Sequence, residues 1–455
     1  MKKLLKVFDQ ISIRMRIAVL LGLLMRLLLA PFTMDMADIP AWYVYGHALS
    51  LGINPYLIYF RRIKGLHYRL PFAYPPLFLF YASLSDIITE RLLGVPFSKS
   101  RPPLPFRFLI KVPVIIADIA SSLFIYYLTL KRFKEKRKAE KYAFLFLFNP
   151  FVILVSSFWG MFDSIPTCLL LFSVYYLLNK RYTLSGILFG IAVCLKGFFP
   201  GFLLPILLIK LLSENFQIKR RIYLMMKFLI LSIGPTLISM VPFVAIPGWG
   251  DIYAILYSIV FFQLERMPQQ LVFFSWVFRS YYRLVKVNLL PEWLQPYRLA
   301  EESTRFFVTA FPLSYMLSLI LLSILVIKKR AALTNIKQIS EGILLIILGY
   351  YSTSKVVNEQ HFMWSLPFFI LSSFPHRCIF VLMNISVTVF ILLDKGPLFF
   401  WPIKDIGIVN LIIRRWHRVT HILYPITGWM SLIFWTSSLI GYVFGTIEIF
   451  KRIKG

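Results

Sequence analysis

Residues 33–60, TMDMADIPAWYVYGHALSLGINPYLIYF, and residues 69–84, RLPFAYPPLFLFYASL, decide how this chain is read. They follow an apolar run from Arg16 to Pro31 and break its character. Two carboxylates, Asp35 and Asp38, come first; Gly52, Asn54-Pro55-Tyr56 and Tyr74-Pro75-Pro76-Leu77 follow. An apolar run that gives way to polar, aromatic, proline-punctuated sequence is the pattern of a first membrane span opening into a water-facing loop. Ionisable groups at that boundary are energetically expensive and mark functional sites by default. Residues 33–105 are therefore the candidate active-site loop.

The rest of the chain agrees with a membrane setting. Of its 455 residues 58% are hydrophobic and only 15% charged, with a mean hydropathy of +0.73, whereas soluble domains carry about 25% charged residues. The expected fold class is all-α, a polytopic integral membrane helical bundle. Lysine and arginine total 50 against 20 acidic residues, a balance that elsewhere suggests nucleic-acid binding. Here the basic residues fall in short loops between apolar runs, so they report membrane orientation and no nucleic-acid partner is expected. Cys168, Cys194 and Cys378 show no paired spacing, which argues against a disulfide framework or a zinc site.

The excess of basic residues in cytoplasmic loops orders the spans. Lys2, Lys3, Lys6, Arg14 and Arg16 hold the first, retained helix inside, and KRFKEKRKAEK at 131–141 marks the next inner loop. For that loop to be internal, the short apolar stretch Pro75–Ile88 must lie along the membrane as an interfacial helix. Carried forward, the pattern gives about twelve transmembrane helices and an external segment at 251–305. Residues 1–250 form the expected catalytic module and 306–455 the variable C-terminal helices. Arg414, Arg415, His417 and Arg418 fit this topology badly, since they fall in an external segment between the last two spans.

With this topology the unusual polar groups converge on the extracytoplasmic face. They are Asp35, Asp38 and Tyr74 in the first loop, Asp163 in WGMFDSIP (159–166), Lys196 in AVCLKGFFP (192–200), and Lys355, Asn358, Glu359, Gln360 and His361 in KVVNEQHFMW (355–364). Carboxylates supply a general base and lysines stabilise a phosphorylated leaving group. No phosphate-cradling glycine loop is present, so a donor used outside the cytoplasm is most simply lipid-linked. Each residue also has a structural reading. Asp35, Asp38 or Asp163 serves equally well as a helix cap, Lys196 and Lys355 as snorkelling lysines, the tyrosine-proline-proline run as a turn, and His361 as a structural histidine.

The order of outer acidic loop, glycine-x-x-proline-tyrosine, tyrosine-proline-proline-leucine, FDSIP and KVVNEQ resembles the polytopic GT-C glycosyltransferases. Within them it is similar to the mannosyltransferases that use dolichyl-phosphate mannose, including the first of GPI-anchor assembly. Asp38 stands fourteen residues before Gly52, as the family spacing requires. Asp35 departs from the pattern, because Met36-Ala37 separate the acidic pair. The resemblance implies Asp38 as catalytic base, with Asp35 beside it, and Lys196, Lys355 and Arg69 on the donor phosphate. Tyr74, Asp163, Asn358, Glu359, Gln360 and His361 would contact substrate. It implies a hexose, most simply mannose, moved from a polyprenyl (dolichyl) phosphate donor to a lipid-linked or glycan acceptor. No cofactor is expected, and a divalent metal is compatible with the carboxylates but indicated by no HExxH or His/Cys spacing. The membrane is a prokaryotic cell membrane or that of the endoplasmic reticulum, and an accessory subunit is a further expected partner. A transporter or lipid flippase, or a non-catalytic subunit of a glycan-assembly complex, are the competing classes; the absence of internal repeats argues against the transporter.

Overall fold

The computed structural model describes residues 11–61, 66, 68, 70–98, 101–246, 251–262, 269–271, 296–329, 333–354, 356–372 and 377–454. Arg69 and Lys355, and much of the 251–305 segment, lie outside the described residues. The described residues are mainly helical, and the β structure among them is one two-residue parallel ladder, Gln269–Gln270 against Val356–Val357.

Six helices among the described residues are long and apolar enough to cross a membrane: Ile13–Phe32, Leu104–Phe133, Ile218–Ala245, Val308–Lys328, Arg377–Ile403 and Ile422–Lys454. A seventh forms if Lys136–Leu147 and Pro150–Trp159, bent by 44°, count as one span. Others among the roughly twelve expected spans are present as shorter apolar helices, Ser164–Leu178, Tyr182–Leu195 and Phe198–Leu212. A helix of 15 residues extends about 22 Å at 1.5 Å per residue, short of the roughly 30 Å hydrocarbon core. Sequence hydropathy cannot separate such half-spans from full ones. The awkward Arg414 and Arg415 fall within a single helix, Gly407–Lys454, whose apolar part begins at Ile422.

Two buried basic residues hold the N-terminal third together. Arg26, with no exposed surface, forms an ion pair with Asp118 at 3.1 Å. It also donates to the Leu147 carbonyl at 2.6 Å and to its own helix at Gly22. Lys111, equally buried, points its ammonium at the carbonyls of Ala30, Thr33, Ser157 and Phe158 and the hydroxyl of Thr33, all within 3.1 Å. Helix ends leave carbonyls that nothing within the helix can satisfy, and in hydrocarbon each is costly. One lysine thus serves the end of Ile13–Phe32 and the wide turns at 154–159 together.

The loop after the first helix is built from its own motifs. Asp35 accepts the backbone N–H groups of Ala37 and Asp38 at 2.7 and 2.9 Å and so starts helix Asp38–Ser50. Asn54 caps the turn at Pro55–Leu57 by accepting from the Tyr56 N–H, and the Tyr56 hydroxyl donates to the Tyr74 carbonyl at 2.8 Å. The asparagine-proline-tyrosine and tyrosine-proline-proline segments are in this way one unit. Helix Leu77–Ile87 forms where the interfacial helix is expected and packs along Asp38–Ser50.

Candidate active site

Asp38 begins its helix without capping it: Ala37 is the N-cap residue, and Asp35 accepts the N–H groups of Ala37 and Asp38. The Asp38 carboxylate is left for other partners, and its Oδ2 accepts the indole N–H of Trp159 at 2.8 Å. Asp38 is partly buried, and removal from water together with the neighbouring Asp35 charge pushes its pKa up to about 6. Lys395, the Trp159 bond and Lys196 act in the opposite direction. A partly accessible carboxylate of that strength is ionised at neutral pH yet basic enough to take a proton from a hydroxyl in a transition state.

Lys395 closes this cluster from the other side. Its ammonium lies 3.6 Å from Asp35, 4.0 Å from Glu359 and over the Trp159 ring at 3.5 Å. Glu359, 1% exposed, is thereby drawn to the first-loop carboxylates across more than 300 residues of sequence.

A second cluster adjoins it. Asp163 ends the turn that contains Trp159, and its side chain caps nothing. Instead it receives Lys196 on both oxygens at 2.7 Å and the indole N–H of Trp364 on Oδ1. Lys196 does not snorkel; its side chain is 8% exposed and its ammonium sits 5.5–5.7 Å from the ring centres of Tyr74, Phe162 and Trp364. Aromatic faces and a carboxylate together stabilise a desolvated ammonium. His361 stacks on Trp364 at 4.0 Å, with Nδ1 accepting the Asn358 N–H and lying 3.2 Å from the Tyr350 hydroxyl. Gln360 is 4% exposed, and its Oε1 has no hydrogen-bond partner among the described residues.

The turn between the clusters depends on Gly160. Its φ is +84°, and a Cβ there would lie 2.8 Å from Lys111 Cε and 2.9 Å from Ile39 Cδ1. Only glycine accommodates both the left-handed backbone and the close neighbours, so Trp159 and Asp163 are delivered to the two clusters from one tight turn.

The structure therefore unites Asp35, Asp38 and Glu359 in one cluster and Tyr74, Asp163, Lys196 and His361 in the next. Asn358 and Gln360 lie alongside in the same short segment, while Arg69 and Lys355 are outside the described residues. Sequence reasoning missed Lys395, Trp159 and Trp364. Lys395 has the signature of an ordinary lysine at a span end, and both tryptophans that of an interface belt.

The pH dependence follows. A base at Asp38 would have to be ionised, so an activity that runs through it is expected to fall as pH drops through about 6. Trp159→Phe removes a donor that favours the ionised form, so the acid limb should move to higher pH. An unmoved limb in a folded Trp159→Phe protein would remove Asp38 as the group responsible.

Comparisons with known proteins give matches to parts of the chain. Residues 72–269 match the family model described as GPI transamidase subunit PIG-U. Less than half of the chain is covered, and the match begins after Asp35 and Asp38. A 96-residue stretch is 34% identical to GPI mannosyltransferase 1 of Saccharomyces cerevisiae, covering 21% of this chain and 23% of that protein. The chain thus matches about a quarter of the length of that relative. Among solved structures, ArnT from Cupriavidus metallidurans bound to undecaprenyl phosphate aligns over 95% of this chain and 77% of its own, at 11% identity and a TM-score of 0.44.

Proposed function

We propose that this chain is a membrane glycosyltransferase of GT-C type that moves a hexose, mannose in the first instance, from a polyprenyl-phosphate donor to a lipid-linked or glycan acceptor on the extracytoplasmic face. The observation that carries the reading is the Asp38 carboxylate, raised to about 6 and aimed by Trp159 beside the Asp35–Lys395–Glu359 cluster. Asp38 takes the acceptor hydroxyl proton as its oxygen bonds to the anomeric carbon. The bond from that carbon to the phosphate oxygen breaks, the electron pair leaves with polyprenyl phosphate, and the configuration inverts.

Positive charge near the developing phosphate comes from Lys395, with Arg69 and Lys355 as further candidates. Lys196, held on both oxygens of Asp163, acts mainly by fixing that carboxylate; Tyr74, Gln360, Asn358 and His361 shape the sugar pocket. The identity to a GPI mannosyltransferase supports this reading. The match to a transamidase subunit favours a second one, in which the chain is a non-catalytic component of such a complex; the matched stretch contains Asp163 and Lys196 but not Asp38.

Purified protein, given radiolabelled polyprenyl-phosphate mannose or glucose and a membrane-lipid acceptor extract, separates the two. Transfer by the isolated chain supports the enzyme; donor binding with no transfer sinks it in favour of the subunit.

A further inference from the structure

Apart from these clusters, helix Asp38–Ser50 carries a second polar group at its other end. His47, 6% exposed, directs Nδ1 at Asp86 Oδ2 at 3.0 Å and at Glu90 Oε2 at 3.5 Å. One ligand atom from each of the three residues lies within 4.8 Å of the others. Asp86 and Glu90 sit one turn apart at the end of helix Leu77–Ile87 and in the wide turn Ile88–Leu92 that follows.

An ion pair alone accounts poorly for this arrangement. The imidazole Nδ1 carries at most one proton, yet two carboxylates face it. Asp86 has no exposed surface, and although its Oδ2 accepts from Ser50 Oγ at 2.7 Å, its Oδ1 has no hydrogen-bond partner among the described residues. A buried carboxylate oxygen in that condition is energetically expensive. The spacing suits a cation instead. Ligands about 2.0–2.1 Å from a tetrahedral zinc ion lie about 3.3 Å from one another, between the two distances His47 makes.

We propose that His47, Asp86 and Glu90 form a divalent-cation site, of zinc by its nitrogen and carboxylate donors, that staples helix Asp38–Ser50 to Leu77–Ile87. The surroundings are those of a built site. Ser50 orients Asp86, Phe97 stacks on the imidazole at 3.8 Å and 5°, and Glu90, 38% exposed, offers the entry path. The two helices approach so closely that a Cβ on Gly46 would lie 2.8 Å from the Ala82 backbone. Asp38 is nine residues from His47 along one helix, about 13 Å at 1.5 Å per residue. At that distance the ion would not touch Asp38 and would act on it only by holding the helix that presents it.

This assignment stands independently of the sugar-transfer reading. The test uses full-length protein stripped with a chelator and titrated with Zn²⁺ alone, reading bound metal by mass spectrometry and thermal unfolding in parallel. The expected result is one saturable equivalent per chain with a rise in Tm. Binding should weaken at least about tenfold in both Glu90→Gln and His47→Asn. Glu90→Gln exchanges one atom on a partly exposed side chain, which protects the comparison against unfolding. No saturable uptake, or equal uptake by wild type and both variants, overturns the site.

Discussion

Asp38→Asn is expected to lower sugar transfer by about 100- to 10,000-fold, the usual contribution of a positioned general base, while leaving the protein inserted and folded. Asparagine keeps the shape of the side chain and an oxygen able to accept the Trp159 N–H that now reaches Asp38 at 2.8 Å. It has no basicity, so the loss should fall on kcat, with KM for the donor little changed. The substitution also removes one of two adjacent carboxylates, and Asp35 raises the Asp38 pKa. Relief of that repulsion should leave Asp38→Asn no less stable than wild type, which separates lost chemistry from lost structure. Full activity in the folded variant would eliminate Asp38 as the base.

Lys111→Met should produce the largest loss of stability. Methionine has nearly the same length but donates nothing, and the acceptors now within 3.1 Å of the ammonium are buried. Three protons serve at most three acceptors fully at any moment. With each orphaned carbonyl costing about 1–3 kcal/mol, a destabilisation of several kcal/mol follows. The damage should reach the site as well, since the Asp35 N–H donates to the Trp159 carbonyl at 3.4 Å one residue beyond the carbonyls that Lys111 holds. Thermal unfolding of Lys111→Met in detergent tests the first effect and the acid limb of transfer the second. A Tm equal to wild type would show that water or local rearrangement replaces the lysine.

The sequence made the membrane class and the first-loop carboxylates legible because both are local properties: hydropathy over a window, and acidic residues just past its end. It also named Tyr74, Asp163, Lys196 and the 355–364 segment, polar groups at the same ends of separate apolar runs. It could not supply their pairing. The Asp163–Lys196 bond crosses 33 residues and the Asp163–Trp364 bond 201, and neither residue type announces its partner. Which first-loop carboxylate opens the helix was open for a related reason, since both have capping chemistry; Asp35 accepts the N–H groups of Ala37 and Asp38, and Asp38 is left to Trp159. His47, Asp86 and Glu90 eluded motif reading because the ligands come from two helices and no short spacing joins them. Span counting was limited by length, because an apolar run of fifteen residues has the composition of a span without the reach of one.

The Arg26–Asp118 pair bears on how the chain is made. Arg26 lies in the first apolar helix, but its carboxylate partner is 92 residues further on and its backbone acceptor at Leu147 is 121 residues further on. During synthesis the first helix reaches the bilayer with an unmatched guanidinium, at about 2.5–3.5 kcal/mol on translocon insertion scales when near the centre. Release into lipid one helix at a time would leave that charge uncovered until the second long helix arrived. The insertion machinery is therefore expected to retain the first helix until Leu104–Phe133 has emerged and docked, making the two a joint unit of biogenesis.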